Sequence, residues 1–210
     1  MVPQIIHQIV GQKPSSLVKD CMESWRKLTY SGFEIKYWDD NHLLELIERR
    51  HPSVVNTFLS ARNHAEAADI GRYIIIYNEG GYYCDWDINL NDKDLFLELV
   101  RQTPNGYLLL DPANNVPAAE HFSGTKNEPF LLSIINDIVE TYNRGEQDLM
   151  FTPQYSGPYR MLNSLLKHRN SLQDLLNVKE VFEYDYVEAK AATEFQKSGI
   201  MTHYWEHSWF

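Results

Sequence analysis

The sequence predicts an α/β fold, a mainly parallel sheet flanked by helices, on three observations. Short runs rich in β-branched and aromatic residues alternate with longer runs of helical periodicity through the first half of the chain, as successive βα units require. Glycine, proline and serine clusters punctuate these runs without forming a linker, and no repeat or low-complexity tract divides the chain. With 210 residues, 43% of them hydrophobic and 13% aromatic, the chain can bury one substantial core, so residues 1–210 are expected to form a single domain.

Gln4-Ile5-Ile6-His7-Gln8-Ile9-Val10, stopped by Gly11 and followed by Pro14, reads as the first strand. Ser15 or Ser16 then caps a helix to about Leu28, with Leu17, Cys21, Ser24, Trp25 and Leu28 at helical spacing. Phe33-Glu34-Ile35-Lys36-Tyr37-Trp38 alternates as a second strand, and Asp39-Asp40-Asn41 supplies cap chemistry for a helix carrying Leu43, Leu44, Leu46 and Ile47. Adjacent carboxylates point apart on a strand, so Asp39 and Asp40 are read as caps and left out of any metal site. Helices are expected over residues 52–60, opened by Pro52, and over about 64–78, ended by Gly80-Gly81. Tyr82-Tyr83-Cys84 and the Asp85-Trp86-Asp87 that follows read as one strand, succeeded by a polar connection, a helix near 95–101 and a strand at 107–110. Helical patterns over about 129–142 and 155–167, a strand-like stretch at 178–182 and an aromatic tail over 203–210 complete the chain.

Charge and cysteine usage narrow the function classes. Nineteen Lys plus Arg against 29 Asp plus Glu give a formal net charge of -10, which disfavours a nucleic-acid backbone or an anionic membrane surface as a general partner. An anionic ligand would need a local cation. Cys21 and Cys84 are too few for a disulfide framework and fit a reducing compartment. The first residues carry neither a basic stretch nor a long apolar run, and no segment reaches the length of a membrane span. The expectation is a soluble, cytoplasmic protein, compatible with peripheral association with a membrane.

Asp85 and Asp87 carry the clearest chemistry. On an extended segment the side chains at i and i+2 project to one side, so both carboxylates would converge while Trp86 turns the other way. Their mutual repulsion calls for a cation between them, and Mg²⁺ or Mn²⁺ bridging to a phosphate satisfies it. Upstream, Asp69 and Arg72 stand at i and i+3 on one helical face, where a surface ion pair is the plain alternative. Gly71 between them is a poor helix former, and its place suits the close approach of a ligand or a strand.

The combined string Ala68-Asp69-Ile70-Gly71-Arg72-Tyr73 and Gly80-Gly81-Tyr82-Tyr83-Cys84-Asp85-Trp86-Asp87 resembles glycosyltransferase family 32. This family includes initiating mannosyltransferases and capsule enzymes, and is akin to the catalytic domain of large clostridial glucosylating toxins. Ile5 to Ile9 resembles its first strand, Tyr37-Trp38-Asp39-Asp40 its second, Ser156-Gly157-Pro158 its Thr-Gly-Pro segment, and His203 with Ser208-Trp209 its C-terminal motif. The resemblance is weakest between about residues 90 and 150. It implies a Rossmann-like GT-A domain, a nucleotide-diphosphate sugar donor, a glycan acceptor, retention of anomeric configuration, and Mn²⁺ or Mg²⁺ as cofactor. By the same carry-over, Asp85, Asp87 and Arg72 would be catalytic. Asp69, Arg72, Asp85, Ser208, Trp209, Ile9 and Gly11 would bind the donor, and Asp87, His203 and Asp85 the metal, with Glu206 a weaker candidate. The family commonly has Trp where this chain has Val10, so the indole's part in donor binding is absent or met otherwise. Trp25 and Trp38 are as readily core residues.

Capsule or lipopolysaccharide synthesis is the setting that the resemblance favours. Residues 113–127, including His121 and Ser123-Gly124-Thr125-Lys126, fall where acceptor-side loops would lie, though an ordinary surface loop explains them equally. Two other functions fit the Asp-x-Asp spacing. One is a phosphatase with a phosphorylated aspartate, which usually carries its motif on the first strand; the other is a silent nucleotide-sugar or carbohydrate-binding module that keeps the metal site.

Overall fold

The computed structural model describes residues 1–112 and 115–206, and in it β1 (Ile5–Ile9) lies between two parallel neighbours. Helix α1 (Ser16–Trp25) and a 3-10 turn (Arg26–Ser31) lead to β2 (Glu34–Trp38) on one side of β1, with Ile5 opposite Glu34. Helices α2 (Asp40–Arg50), α3 (Val55–Leu59) and α4 (His64–Glu79) return the chain to β3 (Gly81–Cys84) on the other side, with Ile6 opposite Tyr82. Strand order thus reverses at β1. The carboxyl ends of β1 and β3 frame the crevice in which open α/β sheets take their ligands.

These elements form where their caps direct. Ser15, Asp39 and Asn63 each accept a backbone N–H of the first turn of α1, α2 and α4 through a side-chain oxygen. Gly81 begins β3 at φ 111°, and a Cβ there would lie 2.6 Å from the Ile5 carbonyl oxygen, so only glycine lets β3 start this close to β1.

Beyond β3 come β4 (Ile88–Leu90), α5 (Lys93–Gln102), β5 (Tyr107–Asp111), β6 (Val116–Pro117) and β7 (His121–Gly124). Strand β7 pairs antiparallel with β3 and completes the sheet β2-β1-β3-β7, in which two of three pairings are parallel. Helices α6 (Pro129–Asn143), α7 (Thr152–Tyr155) and α8 (Pro158–His168) follow, then β8 (Asp174–Asn177), α9 (Tyr186–Ala191) and β9 (Met201–His203). A second sheet has the order β6-β5-β8, and β9 pairs antiparallel with β4.

Two hydrophobic clusters cover opposite faces of the central sheet, as the two-residue repeat of a strand demands. Ile9 and Tyr83 join α4 and α6 on one face, whereas Ile6, Tyr82 and Cys84 join Trp25 and Phe96 on the other. Cys21 and Cys84 are both buried free thiols, and no helix among the described residues is long and apolar enough to cross a membrane.

Three expectations are corrected. Residues 85–87 form a turn between β3 and β4, with Ile88 N–H donating to the Asp85 carbonyl at 3.1 Å, rather than continuing the strand. The strand expected at 178–182 lies at β8 instead; residues 178–180 are a 3-10 turn that sends Val178, Val181 and Phe182 into the core, an apolar cluster that mimics a strand. The region read as an acceptor loop contains β7, all four of whose residues are buried.

Candidate active site

Helix α4 supplies the first half of the site. Every residue from 66 to 76 is buried, so Asp69 and Arg72 are not the surface pair their spacing allows. Gly71 between them faces Leu43 and Ile9, whose methyl carbons would lie 2.9 and 3.2 Å from a Cβ there. The glycine that the sequence marks admits α2 and β1 to the helix. Ile9 is consequently a core side chain, 5% exposed.

Arg72 is fixed from four directions. Its Nη2 lies 2.9 Å from Asp69 Oδ1 and 3.7 Å from Asp85 Oδ1, and its Nη1 donates to the Ala119 carbonyl at 2.6 Å. The guanidinium carbon stands 4.8 Å from the centre of the Tyr83 ring, within cation–π range. Burial works against the charge, but Tyr83, Asp85 and Asp69 outweigh it and raise the pKa, so Arg72 stays a cation. Asp69 has no exposed surface and accepts from Ser156 Oγ at 2.8 Å. Burial pushes its carboxyl up to about 7 against the pull of Arg72 and Ser156. Asp69 therefore holds Arg72 from behind.

The turn after β3 supplies the second half. Asp85 takes a 2.5 Å hydrogen bond from the Tyr83 hydroxyl on Oδ1, and its N–H donates to the Glu120 carbonyl at 2.9 Å. Pairing of β4 with β9 sets His203 opposite Ile88, beside Asp87. His203 Nε2 is 3.2 Å from Asp87 Oδ1, and its Nδ1 is 3.8 Å from Glu120 Oε1. The Glu206 N–H donates to Asp87 Oδ2 at 2.9 Å, while the Glu206 carboxylate turns away to accept from Ser15 Oγ. Trp205, in the left-handed region at φ 47°, lays its ring 4.0 Å from that of His203.

Asp85, Asp87 and His203 each offer a ligand atom, and these atoms lie within 4.8 Å of one another. Burial raises the Asp85 pKa, whereas for Asp87 and Glu120 the facing His203 overcomes burial and lowers it. His203 moves the other way: burial opposes its charge, yet Asp87 and Glu120 hold its pKa at about 10. Two carboxylates and an imidazole form a donor set suited to Mn²⁺ or Mg²⁺, and the buried His203 Nδ1 lacks a hydrogen-bond partner. The residues fit a divalent ion.

The structure thus gathers Arg72, Asp85, Asp87 and His203 at the carboxyl end of β3. It puts Gly11 at the end of β1, where a Cβ would lie 2.8 Å from the Trp86 indole. Ser208 and Trp209 lie outside the described residues. Sequence reasoning assigned no role to Tyr83, Glu120 or Ser156. Tyr83 stands in the Gly80–Asp87 string and Ser156 in the Ser-Gly-Pro segment; Glu120 stands in no motif and reaches the site through its place before β7.

The family described as the glycosyltransferase sugar-binding region containing the DXD motif matches residues 15–103, a span that holds Asp69, Arg72, Asp85 and Asp87 but stops short of Glu120, Ser156 and His203. Inositol phosphoceramide mannosyltransferase 3 of Schizosaccharomyces pombe is 29% identical over 147 residues, covering 65% of this chain and 37% of that protein. An uncharacterized glycosyltransferase of Acanthamoeba polyphaga mimivirus is 31% identical over 100 residues, covering 44% and 39%. The chain spans well under half the length of these curated relatives. Among solved structures, the PaToxG glycosyltransferase aligns with a TM-score of 0.60 at 17% identity, covering 79% of this chain and 69% of that one, a likeness of fold.

Proposed function

We propose that the chain is a glycosyltransferase of the family whose sugar-binding region contains the DXD motif, matched over residues 15–103, and that it moves a hexose from a nucleotide-diphosphate sugar to a hydroxyl acceptor, with metal dependence and retention of configuration. The observation that carries this reading is the convergence of Asp85, Asp87 and His203 beside a buried, immobilised Arg72. A nucleoside diphosphate departs only when its growing charge is met, and a divalent ion held by the three ligands would supply part of that positive charge. Arg72 supplies the rest. Its planar fork already faces Asp85, so it can donate to donor oxygens without reorganising. Asp69, Ser156 and the Tyr83 ring keep the guanidinium from swinging back into the helix. Tyr83, whose pKa burial raises well above the usual value, keeps its proton and orients the Asp85 carboxylate.

Mannose is the first sugar to test, since one relative is named for mannosyl transfer to inositol phosphoceramide. That name favours a lipid-headgroup acceptor over the capsule or lipopolysaccharide glycan expected from the sequence. The test is a thermal-shift screen of UDP- and GDP-sugars with and without Mn²⁺, followed by detection of the released nucleotide. Metal-dependent stabilisation with nucleotide release is expected. Stabilisation without turnover would make the chain a binding module, and release of phosphate without dependence on a nucleotide sugar would make it a phosphatase.

A further inference from the structure

We infer that Trp86, the middle residue of the Asp-Trp-Asp turn, is the stacking platform for the nucleobase of the donor. The inference rests on the donor reading above. Trp86 follows β3 and Gly11 follows β1, so the two residues meet across the crevice where strand order reverses. A Cβ on Gly11 would lie 2.8, 3.2 and 3.6 Å from Cη2, Cζ3 and Cζ2 of the indole, which places the six-membered ring against the end of β1. Glycine there lets the ring lie on backbone. Trp86 is half-buried, whereas Trp25 is wholly enclosed.

The chemistry of the donor singles out the base. The carboxylates on either side of Trp86 belong to the cluster that would hold the diphosphate through a metal, so the nucleoside must leave that cluster along the crevice. The base is its one flat, π-bearing part. An indole in the same turn, held against β1, offers the sequence-tolerant kind of surface on which bases stack. Asp85 and Asp87 would then fix the diphosphate while the residue between them fixes the base, so that a single three-residue turn sets the spacing of both.

The test compares two probes on the intact chain with Mn²⁺ present: a nucleoside diphosphate (UDP and GDP in separate titrations) and inorganic pyrophosphate, each measured by calorimetry. Trp86→Ala is expected to weaken the better-bound nucleoside diphosphate by about ten- to a hundredfold, the range for losing one base-stacking surface, and pyrophosphate by less than about twofold. Trp86→Phe, which keeps a planar ring, should recover most of the loss. Gly11→Ala, which pushes the indole away without removing it, should weaken the nucleoside diphosphate alone. Equal weakening of both probes would mean that Trp86 acts only through the carboxylates, and an unchanged nucleoside diphosphate affinity would mean that the base lies elsewhere; either result overturns the inference. Failure of the unaltered chain to bind UDP or GDP would overturn the donor reading itself.

Discussion

Arg72 and His203 approach the same pair of aspartates from opposite sides, and the chain secures them differently. Arg72 is built into the interior: α4 is buried over residues 66–76, and Asp69, Ala119, Tyr83 and Ser156 hold the guanidinium or its partner. His203 arrives late, on a three-residue strand whose partner β4 is equally short, and the backbone N–H groups of Tyr204 and Glu206 close over Asp87 only afterwards. One half of the site is set by the packing of the core, the other by the docking of a terminal segment. The difference teaches where each kind of damage should be felt: changes near Arg72 should cost the fold, and changes near His203 should cost the chemistry.

The largest expected effect tests the first half of that contrast. Arg72→Leu strands Asp69 and its neighbour Asp85, and losing one partner of a buried ion pair costs about 3–5 kcal/mol. For a chain of this length, that is a fall in Tm of about 10 °C by differential scanning fluorimetry. A fall of only a degree or two would mean that water already serves the cluster and that the interior half is not preorganised. Asp87→Asn tests the second half. Its amide oxygen can still accept from Glu206 N–H, and His203, unlike Arg72, can shed its proton once the partner charge is gone, so Tm should fall less than in Arg72→Leu, while metal-dependent nucleotide release should drop by about 10²–10³ or more. Unchanged release by that variant would end the assignment of Asp87 to the reacting site.

A smaller effect separates positioning from contact. Ser156→Ala removes the hydrogen bond behind Asp69, and a bond to a buried charged group contributes about 1.5–3 kcal/mol. Because the Ser156 hydroxyl reaches Arg72 through Asp69, its other bond going to the Thr152 carbonyl, the variant should lower turnover with donor affinity nearly unchanged, whereas a donor contact would raise KM. Steady-state kinetics on the same donor distinguishes the two.

The legible parts of the site were those with regular spacing. Asp69 and Arg72 lie one helical turn apart, and Asp85 and Asp87 share a short segment, so local geometry brought each pair together in the sequence as in the structure. Even so, the carboxylates converge through a turn and not through the two-residue repeat of a strand. His203 was legible only by resemblance, because its place depends on the pairing of β4 with β9, two strands too short to show alternation. Glu120 left no trace: its side chain enters through the register of β7 on β3, a long-range fact that no local pattern encodes. The same limit hid β8, an edge strand in which Leu175 is exposed and Leu176 only half-buried against the core.

The smallest effect concerns acid, and it falls on the interior half. His7 is fully buried on β1, where its Nε2 meets the Gly80 carbonyl at 2.8 Å and its Nδ1 lies 3.1 Å from Trp38 Nε1. The indole N–H can only donate and the carbonyl can only accept, so the ring must be neutral, with its proton on Nε2. Burial, reinforced by Lys36, lowers the pKa from 6.5 to about 3 despite the Gly80 contact. The folded state therefore stays unprotonated while the unfolded chain takes up a proton below pH 6.5. Stability is complete above that pH and declines as pH falls from 6.5 toward 3. At pH 5.5 the loss from this one group is about 1.4 kcal/mol. His7→Gln can keep both hydrogen bonds without titrating, and so should shrink by that amount the drop in unfolding free energy between pH 7.5 and 5.5, measured by urea titration. Were the drop unchanged, the acid sensitivity would lie elsewhere, and the β1–β3 frame beneath Arg72 would be indifferent to pH.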